Sequence, residues 1–238
     1  MIESPQNEKL KLVRKLAERK QREREDAFVS EGEDLLEAGL AAGAEPRFVL
    51  VAAGSGLAGE EVEPELLASV SALGSGSRAI AVWPRRWAEP GGSPCIYLHG
   101  VGDPGNVGTI IRTAHGLLDG AIALGPDCAD PFSPKAVRAS MGSIFAQPVA
   151  RSAVDATPAP RAALVAHGGE GLGALAGAKT ICLGAERDGL PEDVLAACEA
   201  RVTIPLRPGA ESLNVAAVAA ICAEKISSLA MSEVRPDA

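Results

Sequence analysis

Three stretches of this 238-residue sequence concentrate side chains that could hold or polarise a ligand. The first is Asp103-Pro-Gly-Asn106-Val-Gly108-Thr-Ile-Ile-Arg112. Asp-Pro-Gly reads as a turn, Asn106 as an N-cap and Val107 as the first residue of a helix. At about 100° per residue, Arg112 lies one turn beyond Gly108 on the same face. A guanidinium above a residue with no side chain leaves room for a ligand. The second stretch, Leu183-Gly184-Ala-Glu186-Arg-Asp-Gly189-Leu190-Pro191, joins a buried strand to a helix starting near Pro191. Glycines at the C-terminal end of a strand mark where α/β folds place ligands. The third is Ile204-Pro205-Leu206-Arg207-Pro-Gly-Ala-Glu211-Ser212-Leu213-Asn214-Val215. Ser212 is placed to cap the last helix, with Asn214 in its first turn. Amides exposed at a helix start attract carboxylates or phosphates. Singly, each stretch also fits a plain capped helix or a strand-to-helix loop.

The elements that must position these residues follow from periodicity. Residues 7–25 read as one basic helix with a narrow apolar stripe of Leu10, Val13 and Leu16. Residues 48–51 and 78–83 read as strands, and 33–40 and 64–73 as helices, giving a small α/β unit. Residues 84–94, rich in Pro, Gly and Arg, read as a linker. A second alternation follows, with strands at 95–98, 121–124, 164–166, 181–183 and 201–204. Helices start at 107, 134 and 191, and the last spans 213–230. Strands alternating with helices imply a parallel sheet covered on both faces. The expected organisation is a basic N-terminal helix (1–26), a small α/β domain (27–87), a linker (88–94) and a larger α/β domain (95–238).

Taken together, the three stretches resemble in order and spacing the motifs of the SpoU/TrmH family of RNA ribose methyltransferases, within the SPOUT class. Asn106, Gly108 and Arg112 match Asn-x-Gly-x-x-x-Arg. Gly184, Glu186, Gly189 and Leu190 match Gly-x-Glu-x-x-Gly-Leu. Ile204, Pro205 and Ser212 to Val215 match Ile-Pro…Ser-Leu-Asn-Val. Pro131 to Gly142 looks like the segment between motifs in that family, and the N-terminal part is similar to its smaller RNA-binding domain. Ala185 stands where many members have Asn, and His99 where many have Asp.

The resemblance implies a C-terminal SPOUT domain with a deep trefoil knot, a homodimer with the site built across its interface, and S-adenosylmethionine as cofactor. Leu183, Gly184, Gly189, Ile204, Pro205 and Leu213 would hold that cofactor. Arg112, Asn106, Glu186, Ser212 and Asn214 would make the catalytic set. Methyl transfer to a ribose 2′-hydroxyl is an in-line displacement that depends on positioning. The resemblance makes Arg112 the base. A charged Arg112 that anchors a phosphate and stabilises a developing alkoxide fits the chemistry as well. Ribosomal RNA is the expected substrate. Transfer RNA, or a non-catalytic RNA-binding role in ribosome assembly, is the alternative. Lys135, Arg138 and Arg207, with Arg14, Arg19 and Lys20 of the basic helix, are the expected RNA contacts.

Composition limits the remaining classes. The net charge is −8, yet residues 8–26 hold eight Lys or Arg against five acids, while 27–73 hold nine acids and Arg47 alone. A local basic stripe can steer a polyanion even when the whole chain is acidic. Seven aromatic residues are too few for broad base-stacking platforms. The most apolar run, 215–223, is far short of the roughly 20 residues that span a bilayer. The first residues lack an apolar core, so no signal peptide is expected. Five scattered cysteines and three unclustered histidines predict a cytoplasmic protein without metal. Two phosphate-loop look-alikes carry no weight. Gly54-Ser-Gly-Leu-Ala-Gly59 is followed by acids that would repel a pyrophosphate, and Gly173 to Thr180 runs into a strand where a P-loop needs a helix.

Overall fold

A computed structural model describes residues 1–72 and 76–234. The N-terminal part runs α1 (Glu8–Lys15), α2 (Arg19–Glu25), β1 (Ala27–Glu31), α3 (Glu33–Ala41), β2 (Phe48–Ala52), β3 (Glu60–Val62), α4 (Pro64–Ala68) and β4 (Ala79–Pro84). It continues with β5 (Cys95–Leu98), α5 (Pro104–Leu117), β6 (Ile122–Leu124), α6 (Pro134–Ala139), β7 (Val149–Arg151), β8 (Arg161–Leu164), β9 (Thr180–Leu183), α7 (Glu192–Ala196), β10 (Ala200–Val202) and α8 (Val215–Val234). The expected helix over 64–73 stops at Ala68, and its last expected residue lies outside the described residues.

The chain divides into two compact units, Met1–Arg86 with Asp130–Ala146, and Trp87–Ala129 with Gln147–Ala238. The sequence placed 130–146 inside one continuous domain over 95–238. The fold instead lends that segment, with α6, to the first unit. The expected single helix over 7–25 is two helices. Leu10, Val13 and Leu16 are buried in the core of the first unit, but no apolar residue continues their stripe beyond Ala17. The chain therefore turns at Leu16–Glu18. Arg22 of α2 folds back and donates from Nη1 to the carbonyls of Leu16 and Ala17, both at 2.8 Å. It thereby supplies partners to a helix end that has none of its own. The sheet of this unit has the order β1-β4-β2-β3, with β4 antiparallel to both neighbours and β3 parallel to β2. β3 follows Gly59, where a dinucleotide loop would need a helix.

The second unit is built on a six-stranded sheet, β10-β8-β9-β5-β6-β7, in which every pair is parallel. β5, the first of these strands in the chain, lies inside the sheet. The chain moves outward from it through β6 and β7, then crosses to the other side for β8, β9 and β10. The order thus reverses at β5, and β9 is its neighbour, with Leu98 opposite Leu183. Open α/β sheets offer a crevice beyond the strand ends at such a switch point. α8 packs against α5. Among the described residues, no helix is long and apolar enough to cross a membrane.

Burial sets the chemistry of the interior thiols. It pushes Cys95 in β5 up to about 11 and Cys222 in α8 up to about 12, and it also raises Cys128. An unfolded chain ionises these thiols near their ordinary value while the native state keeps them neutral. Their contribution to stability is therefore intact below pH ~9 and lost as the pH climbs towards the native values. Two outcomes are expected. The three thiols of the native protein resist a disulfide reagent at pH 8 and react once urea unfolds it. The urea midpoint falls as the pH is raised from 8.5 to 10.5, less steeply in a Cys95→Ala/Cys222→Ala variant.

Candidate active site

All three motifs lie at the carboxyl ends of strands in the second unit. The first follows β5. Its helix begins at Pro104, two residues before the expected cap, because Asp103 is the cap and accepts from the amides of Gly105 (2.6 Å) and Asn106 (3.1 Å). Proline at the first helical position reinforces this start. Asn106 is thereby moved into the first turn, and its side chain is released from capping. It donates from Nδ2 to Oε1 of Glu186 at 2.5 Å and accepts at Oδ1 from Nδ2 of Asn214 at 3.0 Å. Asn214, rather than Ser212, caps α8, its Oδ1 accepting from the amide of Ala216 at 2.9 Å. One carboxamide thus ties the loop after β9 and the start of α8 to the start of α5.

The loop after β9 turns on its glycines. Ala185 and Gly189 exchange backbone hydrogen bonds at 3.0 and 3.2 Å, and Gly189 has φ +67°. A side chain on Gly184 would run into the backbone of Gly189 and Leu190, so only glycine fits there. His99 extends the β5–β9 ladder by donating its amide to the carbonyl of Leu183 at 2.9 Å.

A cleft of about 180 Å³ opens where β8, β9 and β10 end, between the 183–190 loop and the 204–213 loop. Leu183, Gly184, Gly189, Ile204 and Leu213, five of the six residues expected to hold a cofactor, line it together with Glu186 and Ser212. Pro205 is exposed and outside the lining. Sequence reasoning missed Leu164, Val165 and Ala166 at the end of β8, and Val218 of α8. The signal for the first three was available: a strand end beside the switch point of a parallel sheet. The walls are mainly apolar, with backbone amides and carbonyls at the strand ends. Such a surface suits a flat heterocycle read by its edge. Among the described residues no group of three His, Cys, Asp or Glu could hold a metal ion.

The other expected residues stand apart from the cleft. Arg112 is exposed and makes no hydrogen bond or ion pair among the described residues. Gly108 is buried on the packed side of α5, so it leaves no open space beneath the guanidinium, contrary to the expectation from spacing. Arg207 is exposed in the 203–214 loop. Lys135 and Arg138 are exposed on α6, in the first unit. Arg14 is exposed and donates to the carbonyl of Pro5 at 3.1 Å and to Ser69 at 3.4 Å. Arg19 pairs with Glu23 of its own helix at 3.2 Å, and Lys20 is exposed.

Residues 93–224 match the family model described as the SpoU rRNA methylase family, which covers more than half of the chain. The chain belongs to the SpoU rRNA methylase family. Residues 7–81 match a second model, the MRM3-like substrate binding domain. This SpoU chain is 30% identical over 239 residues to the 23S rRNA (guanosine(2553)-2'-O)-methyltransferase RlmP of Bacillus subtilis, covering 92% of the chain and 96% of that protein. It is 34% identical over 166 residues to an uncharacterized tRNA/rRNA methyltransferase of Mycobacterium bovis, and there the match spans 61% of the chain and 58% of the longer relative. In structure it resembles the AdoMet-bound rRNA methyltransferase from Sinorhizobium meliloti, with a TM-score of 0.84, 26% identity and coverage of 94% and 95% of the two chains.

The crowding at Gly184 is testable in this SpoU fold without any ligand. Gly184→Ala must open the turn against rigid backbone and is expected to cost about 2 kcal/mol or more of stability. Gly173→Ala, which meets open space, is expected to stay within about 0.5 kcal/mol of the wild type. Urea unfolding of the two variants checks the contrast.

Proposed function

We propose that this protein transfers a methyl group from S-adenosylmethionine to a ribose 2′-hydroxyl of RNA, with ribosomal RNA in the cytoplasm as substrate. The observation that carries this reading is the convergence of Asn106, Glu186 and Asn214 beside an apolar cleft, on a chain of the SpoU family whose relatives in Bacillus subtilis and Sinorhizobium meliloti are named as rRNA methyltransferases. The cofactor supplies an activated methyl group when bound. Leu183, Ile204 and Leu213 would hold its adenine between apolar walls, with the backbone of Gly184 and Gly189 reading the edge. Asn106 fixes Glu186 and Asn214, which keeps the two cofactor loops in register with α5. Residues 7–81 would bind the RNA, as their match to a substrate-binding model supports.

Arg112 takes the electrostatic role in this reading. A guanidinium keeps its proton in water, and one with no partner among the described residues is available to a phosphate and to the developing alkoxide. Arg112 lies about 9 Å along α5 from Asn106 and roughly a third of a turn round it. It does not line the cleft of its own chain. A second copy that brings its own Arg112 to this cleft would complete the site, so the active form is a homodimer. A trefoil knot suits the same reading, since β9 is laid down between β5 and β8 and α8 returns to pack on α5.

Incubation with methyl-labelled cofactor and unmodified ribosomal RNA is expected to yield a labelled 2′-O-methyl nucleoside after nuclease digestion. Label on a base, or on protein alone, would overturn the reading. Arg112→Ala is expected to lower turnover by about a hundredfold or more, with Arg112→Lys in between. A purified heterodimer of Arg112→Ala with the cleft-filling Leu213→Trp is expected to recover about half of the wild-type rate, because one of its two sites is intact. No recovery would show that each site is built within one chain.

A further inference from the structure

Four of the five cysteines are buried, and Cys198 alone is half-buried. It lies just beyond α7, where its Sγ donates to the carbonyl of Val194 at 3.2 Å. Its side chain packs against a buried cluster that includes Cys182, Leu190 and Val194. Cys182 stands in β9 and is fully buried, and the two thiols are in hydrogen-bond contact. Neither residue lines the cleft. The pair is asymmetric. The hydrogen bond from Cys182 holds the Cys198 thiol below its ordinary range against burial and the neighbouring Glu199. Arg161, whose Nη1 donates to the carbonyl of Ala197 at 3.2 Å, and Arg201 act in the same direction as that hydrogen bond. The same contact, with burial, pushes Cys182 up. One thiol is thus reachable and ready to ionise, and the other is kept protonated behind it. An attacking cysteine and a resolving cysteine stand in this relation.

Joining the two sulfurs would not leave the fold as it is. A disulfide bond is about 2.05 Å long, so thiols in hydrogen-bond contact must approach by roughly an ångström or more. β9 has no freedom to yield, because Cys182 is opposite Tyr97 of β5 on one side and Ala163 of β8 on the other. The end of α7 must move instead. α7 follows the 183–190 loop directly, and Leu190 and Val194 share the cluster that holds both thiols. In that loop Gly184 already lacks room beside Gly189 and Leu190, and Gly184 and Gly189 line the cleft. A shift of α7 therefore reaches the cleft through Leu190.

We propose that Cys182 and Cys198 form an oxidation site, at which a peroxide joins them in a disulfide that draws α7 towards β9 and weakens the hold of the cleft on S-adenosylmethionine. This rests on the S-adenosylmethionine reading above. Cys198 loses its proton to water, and its thiolate takes one oxygen of hydrogen peroxide, breaking the O–O bond. The sulfenic acid and hydroxide that result leave the hydroxide to take up the proton. The Cys182 sulfur then attacks the Cys198 sulfur, the S–O bond breaks, and the departing oxygen leaves as water with the Cys182 proton. Two thiols and one peroxide become one disulfide and two waters, the thiols being oxidised by two electrons and the peroxide reduced by two. The bond closes a loop that contains the whole 183–190 segment and α7.

The test uses the full chain with hydrogen peroxide as oxidant. Peptide mass mapping is expected to find Cys182 linked to Cys198, with Cys95, Cys128 and Cys222 still free. Calorimetry is expected to show S-adenosylmethionine bound about tenfold more weakly after oxidation, and dithiothreitol is expected to restore the affinity. Cys198→Ser is expected to bind the cofactor as the reduced wild type does and to be indifferent to peroxide. Cys182→Ala, which lacks the resolving thiol, is expected to stop at a Cys198 sulfenic acid that dimedone captures. No cross-link, a cross-link between other cysteines, an equal loss of affinity in Cys198→Ser, or a cross-linked protein of unchanged affinity would each overturn the proposal while leaving the cofactor reading intact. A reduced wild type that binds no S-adenosylmethionine would overturn that reading, and this inference with it.

Discussion

A single carboxamide holds the second unit's functional end together. Asn106 bonds a carboxylate 80 residues further along the chain and an amide 108 residues along. Each bond is exposed to solvent and modest in net energy. Their effect comes from what they join: the first turn of α5, the loop after β9 and the first residue before α8. An amide suits the post because it must donate to Glu186 and accept from Asn214 at once. Aspartate could not donate and would repel the carboxylate, and serine could not reach both. The sheet order makes this meeting possible. With β5 inside the sheet and β9 beside it, strands far apart in sequence end side by side, and the loops they launch share one crevice.

The site was legible in the sequence to the extent that it depends on residue type and spacing. The three motifs stand out by composition, and glycines at strand ends point to a ligand crevice whatever the family. Gly184 is the clearest case, since the absence of a side chain there is a steric requirement of the turn. Caps were harder. Asn106 is a good cap by type, but Asp103 followed by proline is better, and the first capping carboxylate in the chain wins. Ser212 yielded in the same way to Asn214, whose side chain both caps α8 and reaches Asn106. In each case two residues competed for one role, and propensity alone does not say which is closer.

Short elements and long-range membership were not legible. β3 and β7 are three residues each, too short for alternation to register, and β1 is buried along most of its length and so shows no alternating face. The two-helix N-terminus could be inferred only by asking where the apolar stripe ends. The assignment of 130–146 to the first unit had no local signature at all. It rests on the contacts of Phe132 and Phe145 with Phe28 and Trp83, of α6 with β1, and of Asp130 with Arg22, which reads in sequence as one cation among eight and in the structure is the only one of them paired with a buried carboxylate among the described residues.

That last point changes how an acidic chain can be reconciled with the RNA partner proposed for it. Counting charges directs attention to residues 8–26. There, however, Lys9 pairs with Glu60, Lys11 with Glu8, Arg19 with Glu23 and Arg22 with Asp130, while Arg14 is held by a carbonyl and a hydroxyl. Exposed pairs of this kind add little to stability, but at a distance each is nearly neutral. A polyanion approaching the run meets far less field than the formal charge suggests. Arg112 on α5 and Arg138 on α6 are exposed cations without an ion pair among the described residues, and both sit on helices whose positions other contacts fix. A small number of well-placed cations gives register on a phosphate backbone, whereas a dense basic run gives adhesion without register. For the proposed activity, which must select one hydroxyl among thousands, placement matters more than total charge, and a net charge of −8 limits unspecific adhesion to every other polyanionic surface.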